Sequence, residues 1–195
     1  VSDQEDPQEV IDYSETIKIG GVRTGLITIT DNQILDKTHS YVKANASTRV
    51  VRVFLPFANS ENHGQEYRIK PINLTNNIYV LQFDVTGYDV DTISNVSGDT
   101  WRFTLNSGDI TGVNVGDYVR ITKALNSSNN FYWPVVDRGN DGSKDYLDLT
   151  NPFGVAESSD TPALLHIRSH KTQLDTLNKT YLFKADSNTE EWELW

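Results

Sequence analysis

What most constrains this chain is a rhythm of short β-type runs separated by turn clusters rich in Gly, Asn and Asp. It is clearest between Asp36 and Phe83. There Arg49 to Leu55, Glu66 to Ile72 and Ile78 to Phe83 are rich in Val, Ile, Tyr and Phe, side chains that suit a pleated, half-buried surface. Val51 and Val53 point one way and Arg52 and Phe54 the other, while Tyr67 and Ile69 alternate with Arg68 and Lys70. The segments Ser60 to Gly64 and Asn73 to Asn77 carry turn chemistry between the runs. This pattern predicts a three-stranded antiparallel meander.

Two short motifs in this part of the chain have a known counterpart. Leu55-Pro56-x-Ala58, then Gly64, then Tyr67-x-Ile69-Lys70 resembles a β-module recurrent in the virion proteins of tailed bacteriophages. In that module a closing Trp-x-Leu strand is common, and Trp192-Glu193-Leu194 matches it here. Further on, Val115-Gly116-Asp117-Tyr118-Val119-Arg120-Ile121, with a later strand running into Asn151-Pro152, is similar to a small β-barrel module of phage structural proteins. The resemblance implies a non-enzymatic virion protein: a capsid decoration, head-fibre or tail accessory subunit. It also implies assembly with other virion proteins, commonly as a homotrimer.

The order of the remaining runs sets the domain organisation. Thr16 to Ile19 and Leu26 to Thr30 read as strands around Gly20-Gly21. Phe83 and Trp192 lie too far apart for one connecting loop. The intervening runs at Thr100–Leu105, Asp117–Ile121, Phe131–Val136 and Tyr146–Leu149 have the spacing of a small barrel or sandwich. The chain is therefore expected to be all-β. An antiparallel β-sandwich or jelly-roll-like domain (15–83 plus 171–195) would hold an inserted small β-barrel domain (84–170), entered through a linker at 84–91. Residues 1–14, acidic and aperiodic, are expected to form a flexible arm. Only Lys171 to Asn178 has helical spacing, at Leu174 and Leu177, and it is too short to sustain a helix alone.

Charge and composition narrow the partners. Seventeen basic residues against 27 acidic ones give a net charge of −10 with no Lys/Arg cluster, which disfavours a phosphate backbone as partner. No apolar run approaches the ~20 residues needed to span a bilayer. The chain has no Cys, which removes disulfides and thiolate metal sites from consideration.

Three constellations are candidates for chemistry. His166-Ile-Arg-Ser-His170 has metal-pair spacing on a strand, but lacks a third ligand in sequence and carries Arg168 between the imidazoles. Asp137, Asp141 and Asp145 imitate part of a calcium loop around Gly142, without the terminal Glu. A hairpin turn joining Val135-Val136 to Tyr146-Leu147 explains the same residues better. Trp101, Tyr118, Tyr132 and Trp133 would serve either as a platform for sugar rings or as the core of a barrel. The platform gives the alternative function, a carbohydrate-binding receptor-recognition module. No Gly-x-Ser-x-Gly or His-Glu-x-x-His motif occurs, and pairs such as Asp89/Asp91 and Glu190/Glu191 are expected by chance in an acidic chain. Neither an enzymatic activity nor a cofactor is expected.

Overall fold

The computed structural model describes residues 16–19, 22–106, 110–159, 161–186 and 188–195. The acidic arm expected at 1–14 lies outside them. The first seven strands are β1 (Thr16–Ile19), β2 (Val22–Ile29), β3 (Gln33–Ile34), β4 (Tyr41–Asn45), β5 (Val51–Phe54), β6 (Glu66–Asn73) and β7 (Ile78–Phe83). Then come β8 (Tyr88–Ser97), β9 (Thr100–Leu105), β10 (Tyr118–Thr122), a 3-10 turn at Ser127–Asn129, β11 (Tyr132–Asn140), β12 (Asp145–Thr150) and β13 (Leu164–His166). The chain ends with β14 (Arg168–Leu174), β15 (Tyr181–Asp186) and β16 (Glu191–Leu194).

Two sheets, ordered β1-β2-β4-β6-β15-β16 and β14-β7-β5-β3, face one another, and β10-β11-β12-β9-β8-β13 close into a barrel. The all-β expectation of a sandwich with a small inserted barrel is met. Inside the sandwich the pairing differs from the expected meander. From β2 to β7 the chain crosses to the opposite sheet at every step. Hence β2, β4 and β6 lie side by side in parallel, and so do β3, β5 and β7. Ile27, Val42 and Ile69 share one row, and Gln33, Val53 and Val80 another. β6 is therefore not the neighbour of β5 or β7; its antiparallel partner is β15. The physical reason is that period-two alternation specifies the buried face of a strand and not its partner. Only a tight turn enforces antiparallel pairing, and the segment from Leu55 to Gln65 is long enough to change sheets.

Val42, Ala44, Val51, Val53, Tyr67, Ile69, Ile78, Val80 and Phe183 fill the space between the sheets. The motif residues meet at one end of it. Trp192 packs its ring 4.8 Å from that of Tyr67, and its indole N–H donates to the Pro56 carbonyl at 2.8 Å. Buried Gln82 clasps the Trp192 backbone, donating to its carbonyl (2.8 Å) and accepting from its N–H (3.0 Å). These bonds tie β16 of one sheet to β7 of the other.

Apart from Gln82, the run Ile78 to Phe83 is apolar without alternation because this strand is covered on both faces. Val80 faces the sandwich core, while Leu81 and Phe83 join Phe54 against Tyr132 of the barrel. The barrel grows directly out of the sandwich. The β7–β14 ladder, through Phe83↔Arg168, continues via Asp84 N–H to the Ile167 carbonyl (3.1 Å) into the β8–β13 ladder at Tyr88↔Leu165. The two units are thus joined by one hydrogen-bonded ribbon.

Three strands, β3, β4 and β8, lie where the local pattern carries no strand signal. β8 starts inside the expected linker, because only Val90 and Ile93 of its residues are buried and, apart from Tyr88 and Val96, the rest is Asp, Thr, Ser and Asn. β4 buries only Val42 and Ala44. Lys171 to Leu174 is strand, pairing with Leu81 to Ile78. In β14 tertiary pairing overrides a weak helical spacing.

Candidate functional site

His166 is 2% exposed. Its Nδ1 is 3.0 Å from the Asp84 carbonyl and its Nε2 2.8 Å from the Thr122 hydroxyl. A carbonyl can only accept, so Nδ1 carries the proton and Nε2 accepts from Thr122. Burial, with help from the Arg120 and Lys123 charges, holds the His166 pKa down to about 4. His170 lies past a β-bulge, exposed, 3.9 Å from Glu191. Arg168 between them pairs with Asp117. Both nitrogens of His166 are therefore committed within the protein, and among the described residues no group of three or more His, Asp or Glu converges as a metal site.

Asp137, Asp141 and Asp145 sit in the β11–β12 hairpin. Asp141 accepts from the N–H groups of Ser143 (3.0 Å) and Lys144 (2.9 Å), an arrangement that lowers its pKa. Asn140 donates to Asp145 at 2.7 Å, and Asp137 accepts from the next N–H at 2.8 Å. These carboxylates close a turn.

The four aromatic candidates diverge. Trp133 is buried in the barrel core and donates to the Asn129 carbonyl at 3.0 Å. Its neighbour Tyr132 points the other way, stacked 4.6 Å from Phe54 at the domain junction. Tyr118 packs 5.4 Å from the same Phe54, with Arg52 over its outer face at 4.9 Å. Trp101 covers Gly154, where a Cβ would fall 2.3 Å from the indole. No common platform results, since alternate residues of one strand face opposite sides.

Two features that the sequence did not single out stand out instead. The first is at the junction. Phe57, from the loop after β5, lies 4.7 Å from the His166 ring and 3.8 Å under the guanidinium of Arg120. The Nη1 of Arg120 is buried and has no hydrogen-bond partner among the described residues. Burial without a carboxylate depresses its pKa from the usual arginine value. Arg120 lines an open cleft of about 350 Å³ whose other walls include Pro56, Phe57, Asn59 and Gln65, with Asp36, Lys37 and Glu61 among its charged groups.

The second is the barrel end away from the sandwich, where β8 finishes. The 124–131 and 151–157 segments are laced there by polar bonds. The side chain of fully buried Asn129 donates to the Val155 carbonyl (2.8 Å) and to Glu157 (2.7 Å), and accepts from Val155 N–H (3.1 Å). Glu157 also receives the N–H groups of Leu125 and Asn126, each at 3.0 Å, and the Thr161 hydroxyl. Burial alone would raise the Glu157 pKa, but these donors keep it below the usual carboxylate value. This frame presents Leu125 (70% exposed), Phe153 (69%) and Val155 to solvent. Val96 near the end of β8 and Phe131 just before β11 are exposed as well. Leu125, Phe153 and Val155 are isolated apolar side chains in turn sequences, which no period-two pattern marks; only the fold brings them together.

Compared with known proteins, the chain matches no protein-family model, no curated protein and no solved structure.

Proposed function

We propose that this chain is a non-enzymatic structural subunit of a tailed-bacteriophage virion, a capsid decoration, head-fibre or tail accessory protein that works by protein–protein assembly. The observation that carries the reading is the apolar barrel end. Large hydrophobic side chains exposed on a rigid frame mark an interaction surface, and here Leu125, Phe153 and Val155 are held out by a network that fixes their backbone. The resemblance of the Leu-Pro, Tyr-x-Ile-Lys and Trp-x-Leu elements supports the same conclusion, because those residues meet in one structural knot around Trp192. A homotrimer is the assembly this reading expects.

The test is co-sedimentation of the purified chain with particles lacking it, alongside light scattering of the free protein. Leu125→Ser with Phe153→Ser should leave folding intact, shifting stability by about 0.5 kcal/mol or less as exposed substitutions do, and abolish particle binding. A strictly monomeric protein that ignores both capsids and tails, or a double variant that binds undiminished, overturns the proposal.

A further inference from the structure

The cleft beneath Arg120 is not used by the assembly surface. A guanidinium offers five N–H donors in a fixed fork, and other half-buried arginines of the chain have theirs engaged. Arg102 grips Asp148 through two bonds of 2.8 and 2.9 Å, and Arg168 pairs with Asp117. Arg120 has the aromatic support of Phe57 and Tyr132, yet among the described residues no carboxylate pairs with it and its Nη1 has no acceptor. An unmatched donor is costly when buried, and Arg120 lines a cleft open to solvent.

The lining indicates what would match it. Asn59 accepts the Glu61 N–H through Oδ1, and among the described residues its amide donors are uncommitted. Gln65 donates to the Tyr67 hydroxyl, and among the described residues its Oε1 is uncommitted. Together they offer a donor and an acceptor, the pair a hydroxyl group uses. Pro56 and Phe57 supply apolar wall. The volume of about 350 Å³ lies within the range of small-molecule sites. Asp36 and Glu61 offset Lys37 and Arg120, so the lining has no net positive charge to hold a multiply charged anion, whereas a single planar carboxylate suits the guanidinium fork.

We propose that this cleft binds a small monocarboxylate on a hydroxylated body, of the sugar-acid class, with the carboxylate on Arg120 and hydroxyls on Asn59 and Gln65. The site is separate from the barrel end, so it stands or falls independently of particle binding.

The experiment is an NMR titration of the full chain with sodium glucuronate, with glucose, inorganic phosphate and a short acidic peptide as parallel probes. Saturable shifts at the cleft residues with glucuronate, at least tenfold weaker binding of glucose, and a further tenfold or greater loss in Arg120→Lys are expected. Asn59→Ala, on an outer loop, should weaken binding severalfold without altering the fold, so the proposal stays testable if the arginine variant is unstable. No saturable response to glucuronate at roughly 50 mM overturns the proposal. So does undiminished binding by Arg120→Lys, equal binding of glucose, or tighter binding of phosphate or the peptide.

Discussion

Acidification should destabilise this protein through His166 more than through any other imidazole. Its ring is buried, with Nδ1–H on the Asp84 carbonyl and Nε2 accepting from Thr122. Protonating Nε2 would force the Thr122 hydroxyl to reverse and place a cation beside Arg120 and Lys123. The folded pKa is about 4, against 6.5 for the free side chain. In the window between these values the unfolded chain binds more protons, so stability rises with pH and is lost as pH falls. A gap of about 2.5 pH units at about 1.36 kcal/mol each amounts to roughly 3 kcal/mol, lost in full below pH 4. Between pH 7 and pH 5 the same linkage gives a loss of about 2 kcal/mol.

Urea denaturation of the wild type and His166→Asn at both pH values measures it. The variant keeps a side-chain N–H for the Asp84 carbonyl, and the carboxylates titrate alike in both proteins, so their contribution cancels in the comparison. The wild type should lose about 2 kcal/mol more than the variant on going from pH 7 to pH 5. Parallel pH slopes, or an NMR titration of the His166 ring with a midpoint near 6.5, would refute the reasoning.

Gly25→Ala should cost about 3 kcal/mol or prevent folding, because its Cβ would lie 1.9 Å from the backbone oxygen of Thr38, which cannot rotate away; an unchanged urea midpoint contradicts this. Arg102→Leu strands Asp148, whose side chain is 5% exposed; the expected loss is roughly 2 kcal/mol, discounted because Arg102 itself is partly in solvent. Adding Asp148→Leu should recover most of that loss, and a double variant less stable than the single one would argue against it. Asn129→Ala should cost about 2 kcal/mol and raise hydrogen exchange at Val155 while leaving the Trp133 indole bond, which ends on a backbone carbonyl, in place. Exchange at Val155 that stays slow would show the frame does not depend on this side chain.

Much of the architecture is written in local pattern. The alternation in Glu66 to Ile72 and the runs at Thr100–Leu105 and Tyr146–Leu149 are strands because apolar side chains recur with period two between turn residues. The Asn140-Asp141-Gly142 turn is a hairpin for equally local reasons, since its side chains bond to their own backbone. Where pattern is faint it misleads: β8 and β4 bury two side chains each, so the start of β8 reads as polar linker and β4 carries no strand signal.

Partnership between strands, in contrast, is absent from the one-dimensional string. That β5 lies parallel to β7, with β6 in the facing sheet, follows from sheet-changing crossovers and from long-range packing in which Tyr67 meets Trp192 and Phe54 meets Tyr132. The barrel end and the Arg120 cleft arise the same way. Each gathers residues from separate segments whose individual side chains carry no signal. Burial and hydrogen bonding act through space, so what a strand is can be read along the chain, but what it stands beside is decided only when the whole chain has closed.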